Sequence, residues 1–165
     1  MEQIQKHCRK SIPPWLLIVD NFPTLSLYAL GTIMLWHYAA WAGIVFLFYI
    51  ASTFAWFWAK ICTACPHFGT YGCPCGYGYI SSKIFRKKQG TDFRNVFNRN
   101  LFYLFPAWFV PPAISIFLLI SQMNISLLVI SIIFCIDGFL VIPLLSKRIV
   151  CQNCSMKDSC PWMKK

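Results

Sequence analysis

The sequence contains two long stretches without a single charged residue, residues 22–59 and residues 101–136. The first has 38 residues, and one helix of that length would measure about 57 Å, whereas the hydrocarbon core of a bilayer is about 30 Å thick. Each stretch is therefore predicted to fold into two transmembrane helices joined by a tight turn. The predicted spans cover residues 20–37, 41–60, 101–121 and 125–146. The fold class that follows is an all-α integral membrane protein, a single membrane domain of residues 1–165 with four spans in two hairpins.

Composition agrees with this pattern and excludes two other classes of protein. Of the 165 residues, 58% are hydrophobic and only 12% are charged. A soluble domain carries about 25% charged residues, and a disordered chain has few hydrophobic ones. Neither a soluble enzyme nor a disordered tail fits these values.

The basic residues give the orientation of the predicted spans. All fifteen Lys and Arg residues lie in residues 1–14, 60–100 or 147–165, which four spans place on one side of the membrane. Lys and Arg next to spans mark the cytoplasmic side. We therefore expect both termini and the loop of residues 61–100 to be cytoplasmic, in an inner membrane. This accounts for the net charge of +10 without nucleic acid as a partner. Residues 83–97 also mix basic and apolar side chains, which is typical of a segment at the lipid interface or of an ordinary stop signal after a span.

Eight of the nine cysteines fall in the same three regions as the basic residues, and only Cys135 lies in a predicted span. The cytosol keeps thiols reduced, so cysteines grouped there are more often metal ligands or redox groups than disulfides. The first group, here called the loop set, follows the second span directly and consists of Cys62, Cys65, Cys73 and Cys75. Its CxxC and CPC spacings allow four thiolates to converge on one centre. Four glycines within or just after the loop set allow the backbone to approach closely and to point N–H groups at sulfur; these are Gly69, Gly72, Gly76 and Gly78.

The second group, here called the tail set, follows the last span and consists of Cys151, Cys154 and Cys160. It is one thiolate short of the four that a closed site requires. Cys8 precedes the first span on the same side, and counting therefore predicts two sites of four cysteines. A carboxylate, a histidine such as His7 or His67, or an external ligand could serve in place of Cys8.

Four thiolates can bind either zinc or an iron–sulfur cluster, and the local sequence favours the cluster. Structural zinc sites usually have two CxxC pairs separated by a longer loop, whereas Cys-Pro dipeptides commonly end ferredoxin-type motifs. Three such dipeptides occur here, beginning at Cys65, Cys73 and Cys160. We therefore predict iron–sulfur clusters, two of the [4Fe–4S] type, with zinc as the alternative and thiolate handling of soft metals such as copper or mercury as a third possibility.

The layout of four spans with cysteine groups on one face resembles small membrane-bound ferredoxin-like subunits of quinol-oxidising complexes. That resemblance implies electron transfer between a cytoplasmic donor and a quinone or a partner redox subunit. No acid–base pair or nucleophile accompanies the cysteines, so the chain is expected to be a subunit of an oxidoreductase rather than an enzyme alone. A non-catalytic scaffold or assembly protein with structural zinc sites is the competing prediction.

Two carboxylates approach the hydrocarbon. Asp20, followed by Asn21 and Pro23, is predicted to cap the start of the first span. Asp137 falls well inside the fourth predicted span, where a carboxylate is costly and is by default a candidate for function. It could relay protons during quinone chemistry, or stay protonated and hydrogen-bond across helices.

Overall fold

The computed structural model describes residues 12–154, which are helical between their turns and contain no strand. There are seven α-helices in this range: α1 Pro14–Tyr38, α2 Ala40–Lys60, α3 Tyr77–Ile84, α4 Phe93–Leu101, α5 Phe105–Ser121, α6 Ile125–Ile136 and α7 Ile142–Leu145. Short 3₁₀ segments cover Cys62–Ala64, Phe102–Leu104 and Cys151–Asn153, and π-helical segments cover Asp137–Val141 and Ser146–Val150.

Four helical stretches are long and apolar enough to cross a membrane, as an integral membrane protein requires. They are Pro14–Tyr38, Ala40–Ala64, Phe93–Ser121 and Ile125–Val150. The number of spans predicted from the charge-free stretches is thus confirmed, and the turns near residues 38–40 and 122–124 fall where they were predicted.

The first and third of these four stretches begin earlier in the sequence than the spans predicted for them. α1 begins at Pro14, a residue whose missing N–H costs nothing in the first turn of a helix. Asp20 therefore lies inside α1, and the prediction that it caps the helix is wrong. The third stretch begins at Phe93, where the Asp92 side chain accepts a hydrogen bond from the backbone N–H of Arg94 at 3.0 Å.

The described residues form two compact units. One consists of residues 22–53 and 103–143, and its core is built from Leu27, Met34, Leu127 and Phe134. Gly31 lets its neighbours approach closely, since an added Cβ would lie 3.0 Å from Phe46 and 3.3 Å from Phe134. The other unit consists of residues up to 21, residues 54–102 and residues from 144 onwards, and it contains both described cysteine groups. The prediction of a single membrane domain stays a prediction.

Candidate metal centre

The loop set lies in the segment between α2 and α3, and local hydrogen bonds fix its first half. The backbone N–H of Cys65 donates to the Cys62 carbonyl at 3.1 Å, which closes the CxxC pair into a 3₁₀ turn. Thr63 extends α2 by donating its hydroxyl to the Ala59 carbonyl at 2.9 Å. Ser81, fully buried in α3, donates to the Trp58 carbonyl at 2.8 Å. The cysteine loop is therefore held between two helices that are hydrogen-bonded to each other.

Glycines allow the second half of the loop to fold tightly. Gly69 and Gly76 have φ values of +73° and +76°, a backbone conformation that other residues adopt at a cost. Gly78 serves a different purpose: a Cβ at this position would lie 2.9 Å from the His67 carbonyl oxygen. The predicted close backbone approach is confirmed at Gly78, whose N–H also points at the Cys73 sulfur at 3.5 Å.

Cysteines from both groups line one cavity, here called the cysteine cavity, with a volume of about 180 Å³. Six of the eight predicted ligands contribute to it: Cys62, Cys65, Cys73, Cys75, Cys151 and Cys154. His67 is the other metal-binding side chain in the lining. Phe57, Ile61, Phe93 and Phe97 supply apolar walls. The loop set and the described part of the tail set therefore face the same space.

Two thiols of the CPC triplet lie within hydrogen-bonding distance of each other. The sulfurs of Cys73 and Cys75 are 3.5 Å apart, close enough to share a proton. Donation from the Cys75 thiol favours the thiolate of Cys73 and lowers the pKa of Cys73 to about 7, assisted by the backbone N–H of Gly78. The same hydrogen bond, with burial, raises the pKa of Cys75 well above its usual range. One sulfur of the pair is thus predisposed to be a thiolate, the form that binds metals.

The tail reaches the cavity next to His67. The Cys154 sulfur is 3.6 Å from Nε2 of His67, and the Cys154 N–H donates to the Cys151 carbonyl at 3.2 Å, which repeats the CxxC turn of the loop. His67 is only 3% exposed, and burial lowers the pKa of its imidazole, which favours the neutral form that can act as a ligand.

The other predicted ligands lie outside the described residues. The structure describes residues 12–154, and three predicted or alternative ligands lie outside this range: His7, Cys8 and Cys160. The division of the cysteines into two sites of four therefore stays a prediction. Within residues 12–154, no three histidine, cysteine or carboxylate side chains already stand in an arrangement that could hold a metal ion. Cys135 is an exposed thiol in α6 and does not line the cavity.

Asp137 lies where the fourth span changes from α- to π-helical geometry. It is 9% exposed, and its Oδ2 atom has no hydrogen-bond partner among the described residues. Gly138, next to it, brings the helix close to Leu27, whose side chain would be 3.0 Å from an added Cβ. Both predicted roles, hydrogen bonding across helices and proton relay, stay predictions.

Asn21 was not among the predicted site residues, yet it contacts the loop set. Its side-chain amide donates to the Leu17 carbonyl at 2.8 Å and to the Cys75 carbonyl at 3.2 Å. The second bond joins residues 54 positions apart, so no local spacing could have indicated it. The only signal in the sequence was the position of Asn21, a polar residue near the start of the first predicted span.

Replacing Asn21 with alanine is expected to loosen the loop around Cys75. Loss of the bond to the Cys75 carbonyl removes about 1 kcal/mol, which makes local opening roughly fivefold more frequent. Alkylation of Cys75 in the metal-depleted protein, followed by peptide mass spectrometry, should accelerate by that factor. Asn98→Ala, at an exposed position of α4, is the matched control and should leave the rate unchanged. An unchanged rate in Asn21→Ala would contradict the positioning role.

Comparison with protein-family models, with curated proteins and with solved structures finds no match. The functional argument therefore depends on the residues and on their geometry.

Proposed function

We propose that the cysteine cavity binds an iron–sulfur centre and that the protein passes electrons one at a time as a subunit of a membrane redox assembly. The observation that carries this proposal is the convergence of loop and tail cysteines on one space. Six candidate thiolates from segments about 80 residues apart line the cavity. Structural packing alone gives no reason for soft, metal-binding side chains to gather in this way.

The size of the cavity supports a polyatomic group. Its volume of about 180 Å³ is roughly ten times the 10–15 Å³ that a single bound water needs. A single tetrahedral ion fits tightly among four sulfurs and needs no such space. The lining of sulfur, aromatic rings and glycine, with the Gly78 N–H directed at sulfur, resembles the surroundings that tune cluster potentials.

The cysteine count supports two clusters. The eight cysteines of the loop set, the tail set and Cys8 supply four thiolates for each of two [4Fe–4S] clusters. Because cysteines of the loop set and the tail set line one cavity, the two clusters would lie next to each other. A cysteine of one set could then be the fourth ligand of the cluster that the other set holds.

The electron path is proposed as follows. A cytoplasmic one-electron donor is oxidised as the centre is reduced, and the electron then passes to a quinone or to a partner redox subunit. A quinone takes two electrons and two protons to become a quinol, so two such transfers and a proton source are needed. Asp137 is the residue proposed to relay protons, since it is the buried carboxyl group of the fourth span.

Reduction of the protein tests this function. Protein purified without oxygen should lose visible absorbance on addition of dithionite and recover it when a soluble quinone analogue is added. A protein whose spectrum contains no absorption that responds to reductant would refute electron transfer, even if metal were bound.

A structural zinc site is the second candidate, and one distance favours it. Two thiolates on a single zinc ion are separated by about 3.8 Å, from a Zn–S length of about 2.3 Å and a tetrahedral angle. The sulfurs of Cys73 and Cys75 are 3.5 Å apart, close to that value. In this case the metal would fasten the loop to the tail, and the protein would be a non-catalytic scaffold with no response to reductant.

We further propose that the spans form two hairpins with both termini, the loop and the tail in the cytoplasm. Gly43 supports the first hairpin, because an added Cβ there would lie 2.8 Å from the Trp36 ring on the preceding helix. The absence of basic residues from both opposite turns supports the orientation. After metal is removed with a permeant chelator, a membrane-impermeant maleimide should label the loop and tail cysteines only in opened cells. Labelling of these cysteines in intact cells would show that the loop and tail lie on the opposite side of the membrane.

A further inference from the structure

The segment from Lys83 to Arg99 carries six basic residues and one carboxylate. The cations are Lys83, Arg86, Lys87, Lys88, Arg94 and Arg99, and the side chains of all six are exposed. The carboxylate, Asp92, already accepts the N-terminal hydrogen bond of α4. The whole chain has only five acidic residues, and Asp92 is the one between residues 21 and 136. With fifteen basic and five acidic residues, carboxylates of this chain cannot neutralise all of its cations, and an anionic partner would supply the remaining charge.

Helix lengths place the segment near a membrane surface. The stretch Phe93–Ser121 has 29 residues, about nine more than the roughly 20 that cross the hydrocarbon. The surplus corresponds to α4, which carries Arg94 and Arg99. The segment runs directly into this third stretch, whereas residues 65–82 separate it from the end of the second span at Ala64.

α4 carries both aromatic and basic side chains. Phe93 and Phe97 line the cysteine cavity with their rings 5.7 Å apart, while the side chains of Arg94 and Arg99 are exposed. On α3, Ile80 and Ile84 are one helical turn apart and are 41% and 61% exposed. Apolar side chains set among cations are typical of segments that rest in the headgroup layer.

We propose that residues 83–99, here called the basic segment, form a docking surface for the headgroups of anionic lipids. The phosphates would neutralise the six cations, and Ile80 and Ile84 would contact the upper part of the acyl chains. This proposal does not depend on the metal in the cysteine cavity. It rests on charge complementarity, because an anionic leaflet attracts polybasic segments next to spans.

Lipid retention by the full chain tests the proposal. The protein is purified in micelles that contain equal amounts of phosphatidylglycerol and phosphatidylcholine, and the lipids bound to it are measured by mass spectrometry. Wild type should enrich phosphatidylglycerol by at least about fivefold, the factor that one basic residue contributes at an anionic surface. High salt should reduce the enrichment.

Two variants distinguish an effect of the lost positive charge from an effect of altered folding. The combined change Lys83→Gln, Arg86→Gln, Lys87→Gln and Lys88→Gln should lower the enrichment clearly below that of wild type, leaving the part that Arg94 and Arg99 contribute. The matched change Lys83→Arg, Arg86→Lys, Lys87→Arg and Lys88→Arg keeps every charge and should retain the enrichment. Equal enrichment in the glutamine variant, or none in wild type, would overturn the proposal; the second result is the one expected if an acidic protein were the partner.

Discussion

Replacing Cys73 and Cys75 together with serine is expected to remove at least half of the iron bound per chain. The two residues are half of the loop set, and a four-thiolate cluster that loses two ligands is not retained through purification. Their sulfurs are 3.5 Å apart beside the Gly78 N–H, so no neighbouring thiol in the loop can replace both without rearrangement. Iron and acid-labile sulfide per chain, measured after anaerobic purification, should fall in parallel.

The control for this prediction is Cys135→Ser. Cys135 is an exposed thiol in α6 that does not line the cavity, so its replacement should leave iron and sulfide unchanged. Full iron content in the double variant would remove the loop set from the ligands. A matching loss of iron in Cys135→Ser would mean that the ligands have been divided wrongly.

Gly78→Ala is expected to disrupt the metal centre although it removes no ligand. Alanine favours a helix over glycine by about 1 kcal/mol, so propensity alone predicts a slightly more stable α3. The added Cβ, however, would lie 2.9 Å from the His67 carbonyl oxygen and 3.4 Å from Cβ of Cys73. Overpacking of this kind costs about 1–3 kcal/mol, so release of metal to a chelator should accelerate about fivefold or more.

Gly90→Ala is the matched control for Gly78→Ala. Gly90 has a φ of +73°, and an added Cβ meets no atom within 4 Å. Its replacement strains an exposed turn without crowding the cavity, so metal release should match wild type. If both variants release metal at the same increased rate, the effect comes from general loss of glycine and not from the approach of Gly78 to His67.

The number of spans could be predicted from the sequence because charge in the hydrocarbon is costly, and the two charge-free stretches exclude other readings. The residues at which the helices begin and end could not be predicted in this way. Asp20 suggested a boundary, but it lies in the second turn of α1, which begins six residues earlier at Pro14. Arg94 and Arg99 suggested a loop, whereas they lie in α4, which is part of the helical stretch Phe93–Ser121.

The candidate site was predictable in its residue types and not in its assembly. The spacings of the loop set indicated a local turn, and the structure contains one at Cys62–Ala64. The meeting of Cys154 with His67 joins residues 87 positions apart, and it depends on how the last span ends beside the loop. The bond from Asn21 to Cys75 is of the same kind. Contacts between distant segments are set by tertiary packing, which motif spacing does not encode.

The most direct test of the iron–sulfur centre is the elemental content of the full chain purified from membranes without oxygen. Iron, acid-labile sulfide and zinc are measured per chain in the same sample. We predict iron and sulfide in equal amounts, about eight of each for two [4Fe–4S] clusters, with zinc well below one per chain. Zinc at one or more per chain, without iron or sulfide, would contradict the electron-transfer function and leave the zinc scaffold as the explanation of the cysteine cavity.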